Sequence, residues 1–146
     1  MENECAFCEI VNGKKTRELI SETPYTLTIL SNPSQIKGHC LVIPKRHVEK
    51  LSQLNKIERE ELIEEVVKMQ ELLLSKASGC DIKQNYRPFI PDSKIKVSHL
   101  HFHVQPREFK DEMYKRSQIF EKDIFRDLSL NELKETREWI LIDNGK

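Results

Sequence analysis

Ser98-His99-Leu100-His101-Phe102-His103-Val104-Gln105-Pro106-Arg107 is the stretch on which the reading of the fold turns. Three of the five histidines in the chain sit here, each separated from the next by one apolar residue. A β-strand alternates its side chains with period two, so His99, His101 and His103 fall on one face and Leu100, Phe102 and Val104 on the other. At about 3.3 Å of rise per residue, successive imidazoles lie about 6.6 Å apart along the strand. The Leu-Phe-Val face reads as turned into a core, and the imidazole face as turned toward a site or solvent. The alternative is a half-exposed strand that carries histidine as an ordinary polar residue. Histidine is scarce elsewhere in the chain, and its ordinary pKa near 6.5 suits proton handling and metal binding. That favours a site.

Working upstream, a strand is expected within Asp81 to Ile90, separated from the histidine strand by a Pro91-Asp92-Ser93 turn. Before it, Asn55 and Glu58 form a capping box. Ile57, Leu62, Val66, Met69, Leu72 and Leu73 then recur at helical spacing, a stripe read as core packing, with Gly79 as the stop. Cys40-Leu41-Val42-Ile43 reads as a strand ended by Pro44, with His39 at its head and His47 just beyond it. Glu18 to Ser21 and Thr26 to Leu30 read as two further strands around the Thr23-Pro24 turn. At the start, Cys5-Ala6-Phe7-Cys8 is half a metal site, a redox pair or simply two small apolar residues. Downstream of Arg107 the chain turns strongly charged. A short helix is expected over Met113 to Phe120 and a firmer one over Leu130 to Ile142, where Ser129 and Glu132 form a second capping box and Leu133, Trp139 and Ile140 make an apolar side. Short sequential strands with few crossover helices imply an α+β fold: an antiparallel sheet of about five strands, one long helix and a helical C-terminal extension. The expected organisation is one domain over residues 1–107 and a charged, mainly helical extension over 108–146.

The 146 residues suit a single core, and their 24 basic and 24 acidic side chains balance to a formal charge of zero. That balance argues against a dedicated nucleic-acid binder but leaves room for a local cationic site of the kind a phosphorylated small molecule needs. No apolar run reaches the length of a membrane span, and Met1-Glu2-Asn3-Glu4 has no signal-peptide core. Cys5, Cys8, Cys40 and Cys80 do not form the framework of a secreted mini-protein, so a reduced cytoplasm is the expected location, with Cys40 and Cys80 as core residues.

His99-Leu-His101-Phe-His103-Val104 resembles the motif of the histidine triad family. Gly38-His39-Cys40-Leu41-Val42-Ile43-Pro44-Lys45-Arg46-His47 resembles that family's upstream block, and Cys5-x-x-Cys8 resembles its bacterial members. The likeness covers roughly residues 5 to 107. It implies a nucleotidyl hydrolase or transferase acting on dinucleoside polyphosphates or nucleoside phosphoramidates. His101 matches the nucleophile, which forms a nucleotidyl-histidine intermediate. His39 and His103 match supporting positions around the phosphoryl oxygens, and His99 matches the first triad histidine. No metal is needed for the chemical step. The same resemblance implies a structural zinc held by Cys5, Cys8, His47 and His99, and a homodimer.

The chain also departs from the family pattern. Lys94-Ile95-Lys96-Val97-Ser98 stands where many members carry Gly-Gln-[Ser/Thr]. Lys96 and Ser98 are therefore the candidates for binding phosphate, against the alternative of a solvated turn. Ser31 and Asn32 stand where the family places its ribose-binding acidic or amide residue. The Ser98-His99 junction is similar to an aprataxin-like deadenylase branch, a second enzymatic reading. A metal-binding or nucleotide-sensing protein without turnover is a third.

Overall fold

The computed structural model describes residues 5–117 and 124–142. Its order is α1 (Ala6–Val11), β1 (Leu19–Glu22), β2 (Thr26–Leu30), β3 (Cys40–Pro44), α2 (Lys56–Leu74), β4 (Gly79–Gln84), β5 (Phe102–Arg107), α3 (Glu112–Ser117) and α4 (Leu130–Leu141). The five strands form one antiparallel sheet in the order β1-β2-β3-β5-β4. This is the expected α+β architecture. The chain divides into two compact units, Met1–Met113 and Tyr114–Lys146. Among the described residues no helix is long and apolar enough to cross a membrane.

The sheet is covered differently on its two faces, and alternation along β3 shows why. Cys40 and Val42 point to one side, where they join Leu100, Phe102 and Val104 against Leu62, Val66, Met69 and Leu73 of α2. Leu41 and Ile43 point to the other, where they meet Leu27, Ile29 and Phe7 of α1. The same alternation sends Leu100, Phe102 and Val104 into the α2 core, leaving His99, His101 and His103 on the α1 side. β3 is the central strand and every residue in it is buried; Pro44, which has no N–H to offer the ladder, closes it.

α2 begins as its sequence requires. The Asn55 side chain accepts from the Glu58 N–H at 2.9 Å, and Glu58 accepts from the Asn55 N–H at 3.0 Å. Its buried stripe is narrower than the apolar pattern: Ile57 and Leu72 are exposed. Two glutamates are buried in their place. Glu58 is gripped by the Arg46 guanidinium at 3.0 and 2.7 Å, which holds its carboxyl below the usual range. Glu65 accepts from Ser21 at 3.1 Å and from Lys68 at 2.9 Å. The helix stops at Leu74 with Ser75 as its cap, so Gly79 does not end α2; it opens β4.

The fourth strand lies earlier than expected. It spans Gly79–Gln84, and residues 85–90 form the loop leading to the triad. The histidine strand also starts later: β5 begins at Phe102, with His99 in a bend and His101 in irregular chain just before it. In the second unit, α4 has the expected capping box at Ser129 and Glu132. The Leu133, Trp139 and Ile140 side of α4 is exposed. Residues 118–120 of the expected Met113–Phe120 helix lie outside the described residues.

Candidate active site

Four histidines meet on the α1 side of the sheet; main-chain groups orient His39, His99 and His101, and His39 in turn orients His103. His101 donates from Nδ1 to the carbonyl of His99 at 2.7 Å. A carbonyl only accepts, so the proton sits on Nδ1 and Nε2 carries a lone pair. His39 is fixed from the other end of the site. The Gln35 N–H donates to its Nδ1 at 3.3 Å, which places the proton of neutral His39 on Nε2. That nitrogen lies 2.8 Å from Nδ1 of His103. His39 therefore donates to His103, and the remaining proton of His103 is on Nε2. The pair of rings presents a nucleophilic lone pair on His101 beside an N–H donor on His103, with ring centroids 4.8 Å apart.

Burial keeps these rings neutral. It pushes His39 down to about 4, with help from the charge of Lys83 and from His101. It pushes His103 down to about 3, aided by His101, His39, Lys83 and Arg87. His101 is lowered by burial, the bond to His99 opposing and Lys96 adding to the effect. The Phe7 ring edge packs on His101 at 5.2 Å and on His99 at 5.7 Å, shielding both from water on the α1 side.

His39 owes its place to Gly38, whose φ of +89° lies in the left-handed region. A Cβ there would meet Pro106 Cγ at 2.9 Å, so the close approach requires glycine as well. Behind His39, the buried Gln105 donates to the Gln35 side chain at 2.6 Å. The chain Gln105, Gln35, His39, His103 thus runs from the core to the site.

Other expected residues are used locally. Ser98 donates to Asp92 at 2.5 Å and accepts from Lys96 at 2.7 Å, while Lys96 also reaches Asp92 at 3.2 Å. This knot fixes the segment before the triad. The Ser31 hydroxyl donates to the Pro33 carbonyl at 2.8 Å, and the Asn32 carbonyl accepts from Arg17 at 2.6 Å. Both brace the loop leading to His39, which is tied back by the Ser31 N–H donating to the His39 carbonyl at 2.8 Å.

A second cluster adjoins the first. Cys5, Cys8, His47 and His99 bring one ligand atom each within 4.8 Å of one another. His99 is turned the opposite way to His101: its Nε2–H donates to the Pro44 carbonyl at 2.8 Å, freeing Nδ1. That nitrogen faces Cys5 Sγ at 3.3 Å and Cys8 Sγ at 3.6 Å, while His47 Nδ1 lies 3.3 Å from Cys8 Sγ. Burial and the neighbouring Cys5 push the Cys8 thiol up to about 11. A cation bound between the sulfurs reverses that penalty, and the donor set fits a four-coordinate metal ion.

With this geometry in place, the comparisons converge. The family model described as HIT domain matches residues 12–110. The chain belongs to the HIT family. An uncharacterized HIT-like protein of Methanocaldococcus jannaschii is 32% identical over 134 residues, covering 89% of this chain and 98% of its own. An adenosine 5'-monophosphoramidase of Schizosaccharomyces pombe is 33% identical, over 70% of this chain and 74% of its own. A zinc-bound histidine triad family protein of Mycobacterium smegmatis superposes with a TM-score of 0.59 at 28% identity, over 75% and 79% of the two chains. The matched residues include all five histidines, while Cys5 and Cys8 of the second cluster lie just before them. Membership in a family with relatives named as nucleotide hydrolases supports that general activity.

Four residues around the HIT site carry no motif. Gln35 and Gln105 are separated by 70 positions, and their contact exists only after folding. Lys83 and Arg87 sit in a segment with no recognisable pattern, and only the β4–β5 register would have placed Lys83 beside a histidine.

Proposed function

We propose that this protein is a nucleotidyl hydrolase or transferase in which Nε2 of His101 attacks the α-phosphorus of a nucleotide. One observation carries the reading: the bond from His101 Nδ1 to the His99 carbonyl leaves Nε2 as a lone pair, in a ring that burial keeps unprotonated. The Nε2–phosphorus bond forms as the bond to the leaving group breaks, and the leaving group departs with that electron pair. The N–H on Nε2 of His103 is the donor available to a phosphoryl oxygen or to the departing atom. Water then attacks the phosphorus, the Nε2–phosphorus bond breaks, and the nucleoside monophosphate is released. Dinucleoside polyphosphates and nucleoside phosphoramidates are both substrates of this kind, and the phosphoramidase named among the relatives supports the second.

Zinc is the metal proposed for Cys5, Cys8, His47 and His99. With Zn–S near 2.3 Å and Zn–N near 2.1 Å, tetrahedral geometry sets neighbouring sulfur and nitrogen ligands about 3.6 Å apart. The observed separations of 3.3 to 3.6 Å match that spacing. The ion, when bound, supplies a cross-link between α1 and the strands, with no open position for chemistry. The chain's own part is the anchoring of His99, whose carbonyl in turn orients His101.

The test is intact mass spectrometry after brief mixing with diadenosine tetraphosphate or, separately, adenosine phosphoramidate, with AMP release followed in parallel. A transient AMP adduct on the peptide carrying His101 is the expected result. No adduct and no AMP from either compound would overturn the reading and move a non-catalytic binding protein to the front.

A further inference from the structure

Among the described residues, half-buried cations have partners, with one exception. Lys45 is held by Glu22 at 2.7 Å, Lys96 by Asp92 at 3.2 Å, Arg107 by Asp81 and Asp111, and Arg17 donates to the Asn32 carbonyl at 2.6 Å. Lys83 is also half-buried, yet among the described residues no carboxylate pairs with it. It stands on β4 directly across the antiparallel ladder from His103. Opposite residues share a face, with Cβ atoms about 4.5–5.5 Å apart, so Lys83 is on the side of the site. Asp81, two places earlier on that face, is engaged by Arg107. The charge of Lys83 is felt at the imidazole pair His39 and His103, both kept neutral by burial. A half-buried lysine beside neutral rings has no counter-charge among the described residues.

Arg87 extends the same field. It follows β4 on the loop that faces the segment before the triad, where it lines a groove with Lys96, Ser98, His99, Tyr86 and Glu49. Its guanidinium makes no ion pair among the described residues, and its charge is felt at His103. Two uncompensated cations from one hairpin edge therefore flank the N–H donor of the site. Lys96, already shared with Asp92 and Ser98, lines the same groove as Arg87.

We propose that Lys83 and Arg87 form a polyanion subsite that receives the phosphate chain of the leaving group, which makes polyphosphorylated nucleotides the preferred substrate class. The subsite rests on the nucleotidyl-transfer reading for its catalytic role, although not for its capacity to bind. When the bond from phosphorus to the bridging oxygen breaks, its electron pair stays on the departing chain, which gains one negative charge. Two cations beside His103 stabilise that charge as it develops. A leaving ammonia has no anionic chain to place there.

Titration with inorganic tripolyphosphate, pyrophosphate and orthophosphate tests the binding directly. Tripolyphosphate is expected to bind the full chain most tightly, with an affinity that falls as salt rises. The Lys83→Gln/Arg87→Gln double variant should weaken it about tenfold or more, as loss of charge-assisted contacts does. Lys83→Arg, which keeps the charge, should restore most of the binding in the presence of Arg87. Lys76→Gln, an exposed charge elsewhere, is the control. Equal affinity in wild type and double variant, with the folded spectrum retained, overturns the subsite. So does an affinity that does not grow with chain length.

The ratio of kcat/KM for diadenosine tetraphosphate to that for adenosine phosphoramidate gives a second reading. It should fall about tenfold in the double variant. An unchanged ratio in an active enzyme also overturns the subsite. Tripolyphosphate binding that depends on Lys83 and Arg87, in a protein that turns over neither nucleotide, would sustain the subsite and bring down the proposed function instead.

Discussion

His99 and His101 are two residues apart in the segment leading into β5, yet their rings are turned to different partners. His99 gives its Nε2–H to the Pro44 carbonyl and turns Nδ1 to two thiols. His101 gives its Nδ1–H to the His99 carbonyl and keeps Nε2 as a lone pair. The residue type is the same, with His99 buried and His101 half-buried. What separates a candidate metal ligand from a candidate nucleophile is which nitrogen a backbone carbonyl has already claimed. The two clusters are also mechanically linked, since the residue that binds the thiols supplies the carbonyl that orients its neighbour.

The sharpest break of this comparison is His101→Ala. Turnover should fall by more than about a thousandfold, as expected for loss of a nucleophile, while metal content and melting temperature stay near wild type. Normal turnover in that variant would remove His101 from its role. Cys5→Ser strikes the other cluster. Metal analysis should drop from about one zinc per chain toward none, with a stability loss on the order of several kcal/mol, because site formation and folding are coupled. Retained zinc would refute the ligand set. Activity should suffer less than in His101→Ala, since Cys5 reaches His101 only through His99 and Phe7.

A smaller effect is expected at Gln105→Leu. It removes the bond to Gln35, and with it the support of the main-chain N–H that sets the His39 tautomer. A loss of about tenfold in kcat with KM and zinc content little changed would place Gln105 as a positioning residue. A fall in melting temperature with kcat intact would make it purely structural. The smallest effect is on stability against pH. His39 and His103 titrate at about 4 and about 3 in the folded chain, below the ordinary value near 6.5. The unfolded chain therefore binds protons first as pH falls. Their contribution is intact above about pH 6.5 and is lost as pH drops toward 4. Melting temperatures measured from pH 8 to 4 should show this decline, and it should be shallower in His39→Asn/His103→Asn.

Much of this was legible in the residues. Alternation in His99 to Val104 separates core from site because a strand has only two faces, and both capping boxes are local in sequence. Other features failed for physical reasons. Gly79 looks like a helix stop, but α2 ends at Leu74 with Ser75 as its cap, one residue past Leu73, the last buried position of its stripe. The strand expected within Asp81 to Ile90 sits at Gly79–Gln84, since pairing with β5 sets its length and register, and propensity in a mixed polar segment does not.

By itself the sequence determined the two-faced histidine stretch, the long capped helix, the α+β class and the seven residues from which both clusters are drawn. Those follow from period, capping and residue chemistry, all of which act over short distances along the chain. Only the tertiary structure decided which nitrogen of each histidine is free, that Gln105 braces Gln35, and that Lys83 lies unpaired beside His103. Each of these depends on a partner contributed by another element, and such partners become neighbours only when the sheet closes its register.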